Sequence, residues 1–192
     1  MDARLAEFIG IMLGDGHFPK DRLKISLNSL DEKEYLEYIS DLIVELFKTK
    51  PIVKYRKDEN TVDLFVFKKR VLDYLEKVGL IHSPKWKRAT IPTSFLFYEL
   101  DVLRGYFDTD GCVVMTHNNG TLYPRLEMKI CPSPMQKQFI QILNKYSFNF
   151  GAYSIGKGEV RIQMNGKRQL AKWISLVGFH NQKHLKKAMR FV

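Results

Sequence analysis

The spacing of apolar and polar residues predicts alternating helices and β-hairpins along the whole chain. In the first predicted strand, for example, Leu23, Ile25 and Leu27 alternate with polar side chains, which is typical of a strand with one buried face. The elements predicted for the first half of the chain are a helix at 2–14, a strand at 22–28, a helix at 30–48, strands at 52–56 and 61–67, and a helix at 68–78. Ser29 or Asp31 is expected to cap the second of these helices.

The second half of the chain repeats this order. Its predicted elements are a helix at 97–109, strands at 112–117 and 125–131, a helix at 133–146, strands at 152–155 and 159–165, and a helix at 167–177. The sequence Asn118-Asn119-Gly120 predicts a hairpin turn between the first two of these strands. The last helices of the two halves are expected to end at Gly79 and Gly178, because glycine commonly terminates a helix.

This duplication predicts the fold class and the domain organisation. We expect an α+β fold of two pseudo-symmetric halves, residues 1–92 and 93–192, each with the element order αββαββα. Each half would contain a four-stranded antiparallel sheet with its helices on one face. Lys24 in the first half is expected to correspond to Lys129 in the second.

The first helix of each half contains small residues four positions apart. These are Gly10 and Gly14 in the first half, and Gly105 and Thr109 in the second. A glycine inside a helix costs about 0.5–1 kcal/mol relative to alanine, so its presence needs a structural reason. Small residues at this spacing allow two helix backbones to approach closely. The pattern therefore predicts that the two helices pack against each other.

Each of these helices ends in an acidic residue followed by glycine, Asp15-Gly16 and Asp110-Gly111. The glycines are expected to adopt the left-handed conformation that ends many helices. If the helices are parallel, both carboxylates lie at one end, where the helix dipoles and free carbonyl oxygens are also negative. A divalent cation would relieve this repulsion, and carboxylate and carbonyl oxygens suit Mg²⁺. One such Asp-Gly pair alone would read as an ordinary turn.

Both stretches, Phe8 to Gly16 and Leu103 to Gly111, resemble the signature helices of the LAGLIDADG homing endonucleases in their single-chain form. The acidic position of that motif falls on Asp15 and on Asp110. The resemblance covers nearly the whole chain, because the segments after each motif also follow the family's plan. It implies that the two helices join the halves at the centre and that the two sheets form a DNA-binding saddle.

The resemblance also implies a catalytic site. In this family the residues at Asp15 and Asp110 hold divalent ions, Mg²⁺ with Mn²⁺ as a substitute, and hydrolyse phosphodiester bonds on both strands to leave short 3′ overhangs. The carbonyls of Gly14 and Thr109 would be further metal ligands. Three polar side chains are candidates for organising water near the site: Asn28, Lys85 and Lys183. The second half has Cys131 where the first has Asn28, and both lysines also read as surface residues.

Polar side chains with hydrogen-bonding or basic groups recur on one face of the predicted strands. The candidate DNA-binding residues are Arg22, Lys24, Asn28, Lys54, Arg56, Arg125, Lys129, Arg161 and Gln163. Arg, Lys, Asn and Gln are the side chains that read base edges and hold phosphates. The alternative is that this face is simply exposed to solvent, as in many antiparallel sheets.

Composition supports a nucleic-acid partner. The 192 residues carry 31 Lys and Arg against 21 Asp and Glu, a formal net charge of +10. Cys112 and Cys131 lack the spacing of a zinc site or a disulfide framework. No signal peptide or apolar stretch of membrane-spanning length is present, so we expect an intracellular protein, cytoplasmic or in an organelle or nucleoid, that is not secreted.

The function predicted first is a site-specific homing endonuclease, monomeric and acting on double-stranded DNA with a long pseudo-twofold target. The opening Met1-Asp2-Ala3 and the lack of a terminal His-Asn pair indicate an intron-encoded, free-standing enzyme rather than part of an intein. The alternatives are a maturase that binds intron RNA and assists splicing, and a DNA-binding regulator that does not cleave.

Two other patterns predict no chemistry. His180 and His184 are four residues apart but have no accompanying ligand cluster, so they are expected on an exposed helix face. Trp86 and Trp173 are expected in the hydrophobic core rather than in contact with bases.

Overall fold

The computed structural model describes residues 2–118 and 120–191, and the predicted element order is present in both halves. The first half consists of α1 (Ala3–Leu13), β1 (Gly16–His17), β2 (Leu23–Asn28), α2 (Lys33–Phe47), β3 (Ile52–Tyr55), β4 (Thr61–Val66) and α3 (Lys69–Lys77). The second half begins with a 3₁₀ helix (Thr93–Tyr98) and continues with α4 (Glu99–Asp110), β5 (Gly111–Asn118), β6 (Thr121–Ile130), α5 (Met135–Lys145), β7 (Gly151–Ser154), β8 (Val160–Asn165), α6 (Lys167–Leu176) and α7 (Gln182–Ala188). The predicted α+β fold of two halves is confirmed.

Each half contains one four-stranded antiparallel sheet. The strand orders are β1-β2-β4-β3 and β5-β6-β8-β7, so the two sheets have the same topology. On β2 the side chains of Leu23, Ile25 and Leu27 are buried, which confirms the inward face that their alternation predicts. The outward face carries the polar residues between them.

The strand register corrects the predicted equivalence of the two halves. Gly16 pairs with Ile25 in the first sheet, and Gly111 pairs with Met128 in the second. Lys24 therefore corresponds to Glu127 rather than to Lys129. A shift of two residues keeps every side chain on the same face of the sheet, so alternation in the sequence cannot distinguish the two registers.

The predicted cap of α2 is wrong. The helix begins at Lys33 and its N-cap is Glu32, whose side chain makes no capping hydrogen bond. The preceding turn is held instead by Asn28, whose side-chain oxygen accepts hydrogen bonds from the backbone N–H groups of Leu30 and Asp31 at 2.9 and 3.1 Å. Asparagine favours such turns because its side chain bonds the backbone two residues ahead.

The 3₁₀ helix before α4 and the short helix α7 were not predicted. The apolar pattern of residues 93–110 is continuous, so it does not reveal where the 3₁₀ geometry changes to α. Of the predicted hairpin turn at residues 118–120, Asn119 lies outside the described residues, and Gly120 has a φ of +78°. No helix among the described residues has the length and apolar character needed to cross a membrane.

Three of the aromatic and histidine positions test the predicted core. Trp173 is buried, as expected, but Trp86 is 41% exposed and that expectation is wrong. His184 is fully buried rather than on an exposed helix face, and burial lowers its pKa to about 3. It packs edge-on against Phe107 of α4, so α7 is anchored on the central helices.

The central helices α1 and α4 are in contact through their backbones at the two predicted glycines. A Cβ atom added to Gly10 would lie 2.9 Å from the backbone nitrogen of Tyr106, and one added to Gly105 would lie 2.9 Å from that of Ile11. Each would come still closer to a carbonyl oxygen of the facing helix. The helices are parallel, and the two contacts are related by the pseudo-twofold axis between the halves.

The glycines that follow the acidic residues do not have the predicted conformation. Gly111 is extended, with a φ of −95°, and Gly16 is not among the glycines of positive φ. Their absence of a side chain serves close packing instead, because a Cβ on either would overlap the preceding turn of the helix at Met12 or Phe107. The predicted left-handed termination of α1 and α4 is therefore wrong.

We predict that Gly105→Ala destabilises the protein by about 3 kcal/mol or prevents folding, because the new methyl group overlaps the backbone of α1. Urea denaturation measures the change. Gly156→Ala is the matched control, since its Cβ would meet no atom within 4 Å. Its only cost is the backbone strain of alanine at a φ of +96°. A Gly105→Ala variant as stable as the wild type would show that the helices do not depend on backbone contact.

Candidate active site

The paired helices bring Asp15 and Asp110 to the same end of the central helix pair. The Cα of Gly14 faces Thr109, and a Cβ placed on it would lie 3.3 Å from an Oδ of Asp110. Among the described residues, neither carboxylate has a hydrogen-bond or ion-pair partner. The convergence predicted from the two motifs is therefore present, and neither carboxylate is directly paired.

The surroundings of the two carboxylates favour their neutral forms. Burial raises the pKa of Asp15 to about 7, and the negative charges of Asp110 and Glu32 add to this effect. The pKa of Asp110 is also raised, because surrounding protein atoms displace much of the water around its carboxylate, and the charges of Lys85 and Lys129 oppose this effect. Part of the residue still faces solvent. A bound cation would offset both the burial and the repulsion.

Lys85 occupies the negative end of α1. Its Nζ donates hydrogen bonds to the carbonyl oxygens of Leu13 at 2.9 Å, Met12 at 3.4 Å and Gly14. Burial lowers the pKa of Lys85, while Asp110 and Asp15 act in the opposite direction. The ammonium group therefore contacts the carbonyl of Gly14, one of the predicted metal ligands, and places a positive charge beside both carboxylates.

Lys85 reaches this position because the segment after α3 crosses to the other half. In this first crossing segment (residues 83–91), the N–H of Lys87 donates to the carbonyl of Pro132 at 2.6 Å. The carbonyl of Ala89 accepts from the N–H of Met135 at 3.1 Å. The segment is thus attached to the end of β6 and the start of α5.

The end of the chain crosses in the opposite direction. In this second crossing segment (residues 180–187), Asn181 Nδ2 and Lys183 Nζ donate to Glu32 Oε1 at 2.8 and 2.6 Å. Burial alone would raise the pKa of Glu32, but the hydrogen bonds from Lys183 and from the N–H of Asn28 lower it. Lys183 therefore belongs to the Asp15 side of the site, as Lys85 belongs to the Asp110 side.

Two buried acids of the central helices hold the second crossing segment. Asp108 accepts hydrogen bonds from the backbone N–H groups of His180 and Asn181 at 2.7 and 3.1 Å. Glu7 accepts from Tyr38 at 2.7 Å and lies 2.6 Å from Nδ1 of His180. The position of Lys183 is therefore fixed from α1, α2 and α4 together.

The two sides of the site differ in their lining. The Asp15 cleft, of about 210 Å³, is lined by polar groups that include Asn28, Glu32 and Thr61. The Asp110 cleft, of about 410 Å³, is lined by Leu13, Pro84, Lys85, Trp86, Tyr106, Asp110, Lys129, Cys131 and Glu159. Pseudo-symmetry holds for the acidic groups but not for the residues around them.

Sequence reasoning missed several residues of these clefts. Glu32 falls within the predicted helix at 30–48 without any role, and Trp86 is expected in the core, yet each lines one of the clefts. Trp86 lies close to Asp110 because the first crossing segment reaches the second half, whereas Glu32 lies beside Asp15 through the packing of its own half. The one available signal was the position of Trp86 beside Lys85 in a basic segment.

Acidic residues interrupt the predicted basic faces. On the first sheet, Asp63 accepts hydrogen bonds from Arg56 at 2.8 Å and Ser26 at 2.6 Å, and lies 3.9 Å from Nζ of Lys24. The hydrogen bonds from Arg56 and Ser26 lower the pKa of Asp63 against its burial. These contacts hold the basic side chains in place on the outer face.

The second sheet has a similar arrangement around Glu127. Arg125 forms an ion pair with this carboxylate, and Gln163 donates to it at 3.0 Å. Lys129 and Arg161 are direct neighbours in the register and have no acid between them. Seven of the nine predicted DNA-binding residues lie within strands of the two sheets, and Arg22 and Arg56 directly flank β2 and β3. Several of the nine are already engaged within the protein. Arg22 is one of these, paired with Asp21 at 2.6 Å.

Comparison with known proteins establishes the fold. No family model matches the sequence. A replication factor C small subunit of Methanocaldococcus jannaschii is 25% identical over 199 aligned residues, which cover 98% of this chain but only 10% of that protein.

Solved structures match almost the whole chain. The homing endonuclease I-WcaI bound to its DNA recognition sequence has a TM-score of 0.66 at 18% identity, over 96% of this chain and 85% of that one. The LAGLIDADG meganuclease I-AabMI bound to uncleaved DNA has a TM-score of 0.67 at 12% identity, over 100% and 89%. The I-LtrWI LAGLIDADG homing endonuclease bound to target DNA has a TM-score of 0.65 at 9% identity, over 98% and 89%. The chain has the LAGLIDADG homing endonuclease fold.

The raised pKa of Asp15 predicts a pH-dependent loss of stability. Since the folded-state pKa exceeds that of the unfolded chain, stability is lost as the pH rises from about 4 to about 7. We expect Asp15→Asn to raise the free energy of unfolding, measured in EDTA. The increase should be larger at pH 8.5 than at pH 5, and the two increases should differ by on the order of 2 kcal/mol or less. Urea denaturation at both pH values measures this, with the exposed Asp73→Asn as control. An equal effect at the two pH values would contradict it.

Proposed function

We propose that this protein is a site-specific endonuclease that hydrolyses phosphodiester bonds on both strands of double-stranded DNA with the help of a divalent metal. One observation carries the proposal: Asp15 and Asp110 converge without partners at the end of a helix pair that lies between two basic sheet faces. A structural role would favour paired or apolar groups at this position, because two unpaired carboxylates at helix C-termini are costly.

The donor atoms fit Mg²⁺, with Mn²⁺ as a substitute. Asp15 and Asp110 would hold the metal, together with the backbone carbonyls of Gly14 and Thr109. Within residues 2–118 and 120–191, no group of three or more His, Cys, Asp or Glu side chains could enclose a metal. Such a sparse oxygen set suits Mg²⁺, which usually keeps several waters and binds one or two carboxylates together with substrate phosphates. The metal supplies polarisation of the phosphate and a more acidic water.

The chain's own residues organise the remainder of the site. Lys85 holds the end of α1 and directs a positive charge at the place where a phosphate would approach Asp110. Lys183 is held by Glu32 on the Asp15 side, so Asp15 lies near lysines from both crossing segments, whereas Asp110 lies near Lys85. Asn28 uses its side-chain oxygen within the protein, which leaves its amide N–H₂ as the group available to water or phosphate.

The substrate that fits this arrangement is a long duplex. Two sheets joined by the central helices place two basic faces side by side within one chain, so a monomer can contact both half-sites of a pseudo-twofold target. The DNA-bound state of the similar structures supports the same substrate. Intron homing is proposed as the biological role of such cleavage. The unpaired carboxylates favour cleavage over a purely regulatory role.

We predict a discrete, metal-dependent double-strand cut in targets selected from a pool of randomised duplexes. Asp15→Asn and Asp110→Asn should each lower the cleavage rate by about 100-fold or more, because each removes an anionic ligand. Binding of the same duplex, measured by fluorescence anisotropy in EDTA, should persist.

Asp73→Asn, on the exposed face of α3, is the matched control and should cleave normally. Tight binding with no cleavage in either Mg²⁺ or Mn²⁺ would refute the endonuclease. Loss of binding in step with cleavage, in a folded Asp15→Asn protein, would refute a mainly catalytic role for that carboxylate.

Binding should also weaken steeply with salt, because each phosphate contact releases counterions and contributes a slope of about −0.9 in log K against log salt concentration. We expect Lys54→Ala to make this slope less steep by about 0.9, the contribution of one phosphate contact. Lys77→Ala on α3 should leave the slope unchanged. Anisotropy titrations at several KCl concentrations measure the slope. A flat salt response in the wild type would contradict the two basic faces as the DNA-binding surface.

A further inference from the structure

Three apolar side chains interrupt the polar outer face of the first sheet. Ile52 is 50% exposed and pairs in register with Phe65, which is half-buried, and Phe67 is 49% exposed. The rings of Phe65 and Phe67 are stacked, with centroids 5.8 Å apart and planes at 13°. We call these three residues the apolar strip. It lies on the face that carries Lys24, because Lys24 is the other register partner of Phe65.

The apolar strip is not part of the hydrophobic core. The core of this half uses the opposite face of the sheet, where Leu64 and Val66 alternate with the strip and are buried. In the second sheet, Gly151 is equivalent to Ile52 and Gln163 is equivalent to Phe65. Asn165 is equivalent to Phe67. The strip is therefore a property of one half only, and the shared fold does not require it.

Basic side chains surround the apolar strip. Nζ of Lys54 lies 5.7 Å from the centroid of the Phe65 ring. A cavity of about 170 Å³ beside the strip is lined by Lys50 and Lys68 as well as by Ile52 and Phe67. The strip is thus continuous with the basic face proposed to bind DNA. An apolar surface with a cationic border fits a duplex, whose phosphates flank the base edges, better than it fits a neutral protein surface.

The ligand group that suits the strip is the thymine methyl. In the major groove, the C5-methyl of thymine is the apolar group on the base edges, and all the other groups are hydrogen-bond donors or acceptors. We propose that the first half of the protein selects its half-site through thymine methyl contacts with Ile52, Phe65 and Phe67, an inference that rests on the proposed function. The second half, with Gln163 and Asn165 at the matching positions, reads its half-site through hydrogen bonds.

With β4 taken to lie along the duplex, the strand gives an expected position for these thymines in the target. Thr61, the first residue of β4, lines the Asp15 cleft. Phe65 lies further along the same strand, and Phe67 is the residue directly after it. At about 3.3 Å per residue, they lie roughly 13–20 Å further out. Since a duplex rises about 3.4 Å per base pair, the contacted methyls are expected about four to six base pairs outward from the base pair over Thr61.

The test removes single methyl groups from the DNA. Deoxyuridine replaces each thymine in turn in a selected target, and binding is measured by anisotropy in EDTA. We expect about fourfold weaker binding per methyl removed in the outer part of the first half-site, and less than twofold in the second half-site. Phe65→Ala should weaken binding to the thymine target and abolish the effect of deoxyuridine there.

Two variants keep the result interpretable. Ile52→Ala tests the strip at a more exposed position if Phe65→Ala does not fold. Phe97→Ala is the matched control, because Phe97 is 89% exposed on the 3₁₀ helix, away from both sheets. It should leave both affinity and methyl dependence unchanged.

The outcomes separate this inference from the proposed function. Cleavage with no methyl dependence, or with a dependence that Phe65→Ala and Ile52→Ala leave intact, would overturn the inference while the endonuclease stands. Absence of any specific binding or cleavage would overturn both. A dimer in sedimentation experiments that Phe65→Ala dissociates would show that the strip binds a second copy of the chain instead.

Discussion

The structure depends on the backbone contact between α1 and α4. Gly10 and Gly105 let the two helices approach so closely that a methyl group at either position would overlap the facing backbone. This proximity is what places two helix C-termini side by side. The carboxylates of Asp15 and Asp110 therefore meet because of packing, and their mutual repulsion is a consequence of the fold rather than of any local preference. Stability and chemistry are in conflict at this point.

The protein offsets that conflict from outside the helices. The two crossing segments exchange contacts between the halves and deliver Lys85 and Lys183 to opposite sides of the site. The buried acids Glu7 and Asp108 hold the second of these segments in place. The pKa of Asp15 is raised chiefly by burial, and the charges of Lys85 and Lys183 act in the opposite direction. In the proposed function, such a site would take up the metal ions that accompany a phosphate.

The halves share a fold but differ in their surfaces. The central acid of the first sheet is Asp63 on β4, whereas that of the second is Glu127 on β6, so the two charge patterns are not related by the pseudo-twofold axis. The clefts and the outer ends of the sheets differ as well. In the proposed function, duplication would fix the spacing of the two half-sites, and divergence of the outward-facing side chains would let each half recognise different bases. Such a surface is free to diverge because it contributes little to the core.

The sequence alone determined the fold, the duplication and the two acidic positions. Periodicity indicates which face of a strand or helix is buried, and the paired glycines indicate backbone contact. These features can be predicted because they depend on the local sequence pattern. Tertiary structure alone decided the equivalence of Lys24 and Glu127, the burial of His184, the exposure of Trp86 and the place of Glu32 beside Asp15. Each of these depends on which segments pack together in three dimensions or on a two-residue register shift, and alternation along one strand carries no information about either.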